Sequence, residues 1–216
     1  MVYLNHTLAI NELAATEGVF TTAQAERFDI PADALSYACR AGRLERIAKG
    51  AYRLVGSQST QLDELSAIWK LTAPEKMSYE RIAVSSWDGI SIGGTTAASI
   101  LRIGNFYLSP YRVFAPNRIN SKKTSVKFGI RKIKRDDVSF IEGLPITKIE
   151  RTLLDLCMDK EDPSLIADTL SDAVNKYESS IDYARLELLL INIIGPGKGK
   201  ALLDSLFKNA RIERKI

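Results

Sequence analysis

Apolar residues recur at helical spacing through much of the chain and at alternate positions in a few short stretches. Between Phe20 and Leu54 both rhythms follow one another closely. Thr21 stands three residues before Gln24, the spacing of a reciprocal capping box, and so predicts a helix start. That helix runs to Phe28 and breaks at Asp29 and Ile30, where Pro31, with its fixed φ, suits the opening of a second helix. In the second helix Leu35, Ala38 and Cys39 share one face, which leaves Asp33, Ser36, Tyr37 and Arg40 outward. Gly42 closes it. Residues 44–47 and 51–54 then read as two short strands around Ala48-Lys49-Gly50, with Gly50 at the permissive turn position. Two short helices followed by a two-stranded wing make a winged helix-turn-helix.

Upstream, residues 4–16 predict a supporting helix with Leu4, Leu8 and Leu13 inward, ended by Gly18. Downstream, VGSQST over residues 55–60 has the small, polar composition of a linker, and places a boundary between domains 1–56 and 60–216. Past it, Leu62, Leu65, Ile68 and Trp69 keep a helical face until Pro74. Gly93-Gly94-Thr95-Thr96 leads into a helix of small residues. A phosphate-cradling loop would need a lysine that does not follow Gly94 at the required place, so this reads as a turn and helix cap.

Residues 106–115 and 125–133 alternate and predict a hairpin, with Val126, Phe128 and Ile130 on one face and Lys127, Gly129 and Arg131 on the other. Thr147 to Glu150 has the spacing of a second capping box, opening a helix with Ile149, Leu153 and Leu156 inward and Arg151 paired to Asp155. Asp162-Pro163, Asp182 and Gly195-Pro196-Gly197 punctuate three closing helices. The expected fold class is α+β: an N-terminal winged helix-turn-helix, then a mixed α/β domain with a small antiparallel sheet and C-terminal helices.

Charge sharpens this picture. The chain nets +4, and residues 35–56 hold Arg40, Arg43, Arg46, Lys49 and Arg53 against Glu45 alone. A recognition helix reads base edges in the major groove while cations on a wing neutralise phosphate. The expected contacts with double-stranded DNA are therefore Thr22, Asp33, Ser36, Tyr37, Arg40, Arg43, Arg46, Lys49 and Arg53. Between Tyr111 and Arg135 lie nine basic residues and no acidic one. Arg118, Lys122, Lys123, Lys127 and Arg131 of that strip make a possible second polyanion contact, the alternative being a solvated outer face.

No basic start with a long apolar run opens the chain, and no apolar stretch approaches a membrane span, so a cytoplasmic location and no membrane partner are expected. Cys39 and Cys157, each on an apolar helix face, are expected as reduced thiols.

FTTAQA at residues 20–25, GRLERIAKGAYRL at 42–54 and GLPITKIERTLLDL at 143–156 together resemble the AbiEi-type antitoxins of type IV, abortive-infection toxin-antitoxin systems. The resemblance covers nearly the whole chain. It implies that the winged helix represses its own operon by binding the promoter and that the remainder counteracts a nucleotidyltransferase-like toxin. It transfers no catalytic residue. In such relatives a basic recognition helix is usual, whereas here Asp33, Ser36 and Tyr37 accompany Arg40 as the one basic residue, so affinity is expected to rest on the wing. Asp33 could still accept from a cytosine amino group.

An enzyme is not expected, nor a cofactor or metal. His6 is the only histidine, the carboxylate pair Asp136-Asp137 sits in a charged turn, and the only Glu-x-Lys, Glu213 to Lys215, is in the tail. The alternatives are a ligand-responsive winged-helix regulator without a toxin partner and, further off, a metal-dependent nuclease.

Overall fold

The computed structural model describes residues 2–177 and 180–212, with side chains from residue 6 onward. Two compact units divide the chain, Met1–Asp88 and Gly89–Ile216.

In the first unit, helix α1 (Val2–Glu17) precedes strand β1 (Phe20–Thr21), helices α2 (Thr22–Glu26) and α3 (Ala32–Arg40), and strands β2 (Leu44–Ala48) and β3 (Ala51–Leu54). The start of α2 follows from its capping box: Gln24 N donates to Thr21 Oγ1 at 3.0 Å and Thr21 N donates to Gln24 Oε1 at 2.9 Å. β1 joins the wing as a third strand in the order β1-β3-β2, with Phe20 opposite Tyr52. Phe20, Ile30, Leu35, Ala38 and Leu44 are buried in one core with Leu13. Leu8, expected inward, is 59% exposed. The buried positions of α1 are Ile10, Leu13, Ala14 and Glu17, a complete i, i+3, i+4, i+7 face, and Leu8 stands about 200° from Ile10 around the axis. The Leu4 side chain lies outside the described residues.

The boundary expected at residues 55–60 falls inside this unit. Helices α4 (Asp63–Lys70) and α5 (Ser78–Ile82) pack back onto the winged fold. Ala67 is buried with Val19 and Ala51. Thr21 Oγ1 donates to Pro74 O at 2.5 Å and Gln24 Nε2 to Lys76 O at 2.8 Å. The Lys70 ammonium meets the Glu17 carboxylate, with side chains 4% and 1% exposed, and Ser78 Oγ donates to the same carboxylate at 2.6 Å. Polar composition over residues 55–60 reports a solvated turn; it carries no information about where the next helix docks.

Arg27 and Glu80 close the same assembly with a two-pronged ion pair at 2.6 and 2.9 Å, and Met77 N donates to Glu80 at 2.7 Å. These donors hold the Glu80 carboxyl down to about 2, against an ordinary 4.5. A depressed folded value means stabilisation that is present above pH about 4.5 and lost as pH falls toward 2. Glu80→Gln should accordingly flatten the acid-side fall in stability across that window. Urea midpoints measured at several pH values check this, and an unchanged slope would count against it.

In the second unit, β4 (Ser91–Ile92) leads to α6 (Gly94–Leu101), then β5 (Tyr111–Ala115), β6 (Val126–Ile130), β7 (Val138–Ile141) and β8 (Leu144–Thr147), and finally α7 (Ile149–Met158), α8 (Pro163–Tyr177), α9 (Tyr183–Ile194) and α10 (Pro196–Ala210). The sheet order is β6-β5-β4-β8-β7. The expected hairpin of residues 106–115 and 125–133 does not form, because β5 and β6 pair in parallel, Val113 opposite Phe128. The sheet is thus mixed, with antiparallel β4-β5 and β7-β8 pairs beside parallel β4-β8 and β5-β6 pairs. Alternation identifies a strand but not its direction; that is set by residues 116–125, which return the chain before β6 begins. The hairpin of this unit is instead β7-β8, turned through Glu142 and Gly143, both at positive φ.

The helices follow their punctuation. Asp182 accepts from Arg185 N at 2.8 Å to cap α9, and Pro196 occupies the first turn of α10. The second capping box is absent: α7 is preceded by Lys148, Thr147 Oγ1 pairs with Thr152 Oγ1 at 2.7 Å, and Glu150 accepts from Asp182 N at 2.8 Å. Glu150 is buried, and the backbone of another helix start offers it a better donor. Leu153, Leu156, Leu170, Leu186, Leu203 and Phe207 form the core of the helical half. Among the described residues no helix is long and apolar enough to cross a membrane.

Candidate nucleic-acid interface

Helix α3 exposes Asp33, Tyr37 and Arg40, while Leu35 and Ala38 anchor it in the core. Its polar residues partly serve the helix itself. Asp33 accepts from Ala34 N at 2.9 Å in the first turn, where a negative charge also suits the helix dipole, and Ser36 Oγ donates to Ala32 O at 2.9 Å. Tyr37, 49% exposed, lies beside Arg43, whose guanidinium carbon is 5.6 Å from the ring centroid and whose Nη1 donates to Thr7 Oγ1 at 2.7 Å. Arg40 projects from the last turn. Tyr37 and Arg40, three residues apart, share one side of the helix, with Arg43 beside the Tyr37 ring.

Across the wing, Arg46 stands over Tyr52 at 5.5 Å, and Lys49 is exposed at the turn before Gly50, whose φ is +82°. Thr22 fixes that turn against α2, its backbone N–H donating to Gly50 O at 3.0 Å. Arg53 does not belong with these residues. It is 9% exposed, paired to Glu45 at 2.5 Å and Asp63 at 3.2 Å, and Nη1 donates to Ser57 O at 3.0 Å. Its alternation partners on β3 face inward, and Asp63, the first residue of α4, supplies a carboxylate that no local pattern around the wing revealed. The exposed cations of the site are Arg40, Arg46 and Lys49, with Arg43 half-buried between Tyr37 and Thr7.

Residues 9–55 match the family model described as "Transcriptional regulator, AbiEi antitoxin". That stretch is similar to the AbiEi antitoxin transcriptional regulators. The match begins in α1 and ends just after β3, so it takes in α3 and the wing. The structure of the RV2827C protein from Mycobacterium tuberculosis is similar at a TM-score of 0.56 and 15% identity, covering 97% of this chain and 83% of that one, a likeness of fold. No curated protein matches the chain.

Beyond the matched stretch, the basic strip separates into two groups. Arg118, Lys122, Lys123, Lys127, Lys132 and Lys134 are exposed. Arg131, expected among the polyanion contacts, instead pairs with Asp155 at 2.8 Å and Asp159 at 2.5 Å, and Arg112 pairs with Asp159 at 2.7 Å. Both guanidinium groups lie over Phe114, at 4.1 and 5.1 Å. Asp155 also receives Arg151 Nη2 at 2.8 Å, so the predicted i,i+4 pair is one arm of a larger buried network.

The carboxylates Asp136 and Asp137 do not converge. Asp136 is exposed, while Asp137 is buried and accepts from Arg185 at 2.5 Å. Glu213 and Lys215 lie outside the described residues. Burial pushes the Cys157 thiol up to about 11, and burial likewise raises Cys39, so both stay protonated at neutral pH.

Proposed function

We propose that this protein is a DNA-binding antitoxin, acting in the cytoplasm and not as an enzyme, that represses its own operon through the winged helix. In this reading the second unit counteracts a nucleotidyltransferase-like toxin encoded beside it. The observation that carries the proposal is the AbiEi antitoxin match over residues 9–55, on the segment whose fold presents Tyr37, Arg40, Arg46 and Lys49 outward. Arg40 and Tyr37 on the helix supply base-edge readout, and Arg46 and Lys49 on the wing hold phosphate.

In gel-shift titrations of the full chain, the promoter of its own operon should win over random duplex. Arg40→Ala should relax base preference, whereas Lys49→Ala should weaken all sequences alike and reduce the salt slope by roughly one. Identical losses on every sequence from both changes would end the division of labour. Antitoxin action is tested separately with the Arg40→Ala/Lys49→Ala chain expressed from an unrelated promoter beside the neighbouring toxin. Survival of the cells is expected; their death, with the variant folded and at matched levels, would leave repression as the whole account.

A further inference from the structure

Strand β6 is an edge strand, and its Val126, Phe128, Ile130 face is the one that alternation assigns to a core. The opposite face is packed at Gly129, where a Cβ would lie 2.9 Å from the Phe114 ring, and exposes Lys127, while Val126 on the first face is buried. Val126, Phe128 and Ile130 instead line an open groove of about 440 Å³, whose other wall is residues 118–121 of the β5-β6 connection. Ile130 is 64% exposed and Phe128 half-buried. A lone exposed aliphatic is ordinary; an aromatic and an aliphatic side by side in a groove mark a binding surface.

The charge around this groove says what would cover it. Arg118 lines it, Lys122 and Lys123 continue the same connection, and Lys132 and Lys134 follow β6, all exposed. No carboxylate lines the groove among the described residues, and Asp155 and Asp159 are taken by Arg112, Arg131 and Arg151. Within the connection, Arg118 Nε donates to Asn120 Oδ1 at 3.0 Å and Lys123 N to Ser121 Oγ at 3.1 Å, which fixes the wall and places two polar side chains in the groove.

We propose that this groove binds single-stranded nucleic acid, with a base against Phe128 and Ile130 and the backbone along Arg118, Lys122 and Lys123. A base offers its flat face only when unstacked, so an apolar, aromatic floor beneath cations fits a single strand; a duplex would meet the cations and leave the floor uncovered. Asn120 and Ser121 supply hydrogen-bonding groups for the base edge. The site is independent of whether the winged helix reads a promoter.

The test uses the full chain carrying Arg40→Ala/Arg46→Ala/Lys49→Ala, so that the winged helix contributes little. Short fluorescein-labelled oligothymidylate, oligouridylate and a random blunt duplex are titrated by fluorescence anisotropy. Phe128→Leu should weaken both single strands about tenfold and leave the duplex unchanged. Ile130→Ser, at a position 64% exposed, should act in the same direction. Lys122→Gln/Lys123→Gln should lower the single-strand salt slope by about 1.4. Single-strand binding that is unaffected by Phe128→Leu and Ile130→Ser would overturn the proposal, as would equal losses on the single strands and the duplex. Preference for uridylate or thymidylate would identify RNA or DNA as the source.

Discussion

A fragment of residues 1–56 should fail to fold, whereas residues 1–88 should unfold in one cooperative step. Cutting after Gly56 removes Lys70 and Ser78 from the buried Glu17 carboxylate, Pro74 O from Thr21 and Lys76 O from Gln24. Burial alone would push the Glu17 carboxyl up; Lys70 and Ser78 overcome that and hold it below its ordinary value. The same burial lowers Lys70, an effect that Glu17 only partly offsets. A buried charge deprived of its partner costs about 3–5 kcal/mol, a large share of the stability of a small domain. Lys70→Ala in the full chain should therefore destabilise the first unit by about that much. Replacing both members, Glu17→Gln with Lys70→Met, should recover most of the loss, since a buried pair exchanged for matched uncharged groups is often close to neutral. Circular dichroism with urea titration measures all of these. A 1–56 fragment that melts cooperatively would show that α4 and α5 are dispensable and would restore the boundary at residues 55–60.

Asp155→Ala should be the most damaging single change in the second unit, again by about 3–5 kcal/mol, because it leaves Arg151 and Arg131 facing a buried void. The network has no slack around it. A Cβ on Gly93 would come within 2.4 Å of the Phe114 ring and 3.1 Å of Asp155 Oδ2, while Gly129 holds the other side of the ring. Gly93→Ala should thus destabilise by about 1–3 kcal/mol or more through overpacking. This is the physical reason for the Gly93-Gly94 pair that resembles a nucleotide loop: the strand and helix start must pass Phe114 and Asp155 at backbone distance. Thermal unfolding of the two variants checks the expectation. A mild Asp155→Ala, below about 1 kcal/mol, would mean that the arginines find water and the network is not a keystone.

What the sequence determined by itself was local. The Thr21-Gln24 cap, the turn at Gly50, the Asp182 cap, the Pro196 helix start and the Arg151-Asp155 pair each depend on residues within a few positions of one another, where spacing alone fixes which groups can meet. The winged helix was legible for that reason, as were most of its outward residues. Tertiary structure decided whatever required a distant donor or acceptor. Arg53 left the DNA-facing set because Asp63 came to it, Arg131 left the basic face because Asp155 and Asp159 lay across from it, and Glu150 abandoned its cap for Asp182. The direction of β6 and the docking of α4 and α5 onto the winged fold depended likewise on where the chain returned after a turn. A residue type limits what a side chain can bind, but the free energy of burying charge makes the choice among partners, and those partners are brought within reach only by the fold.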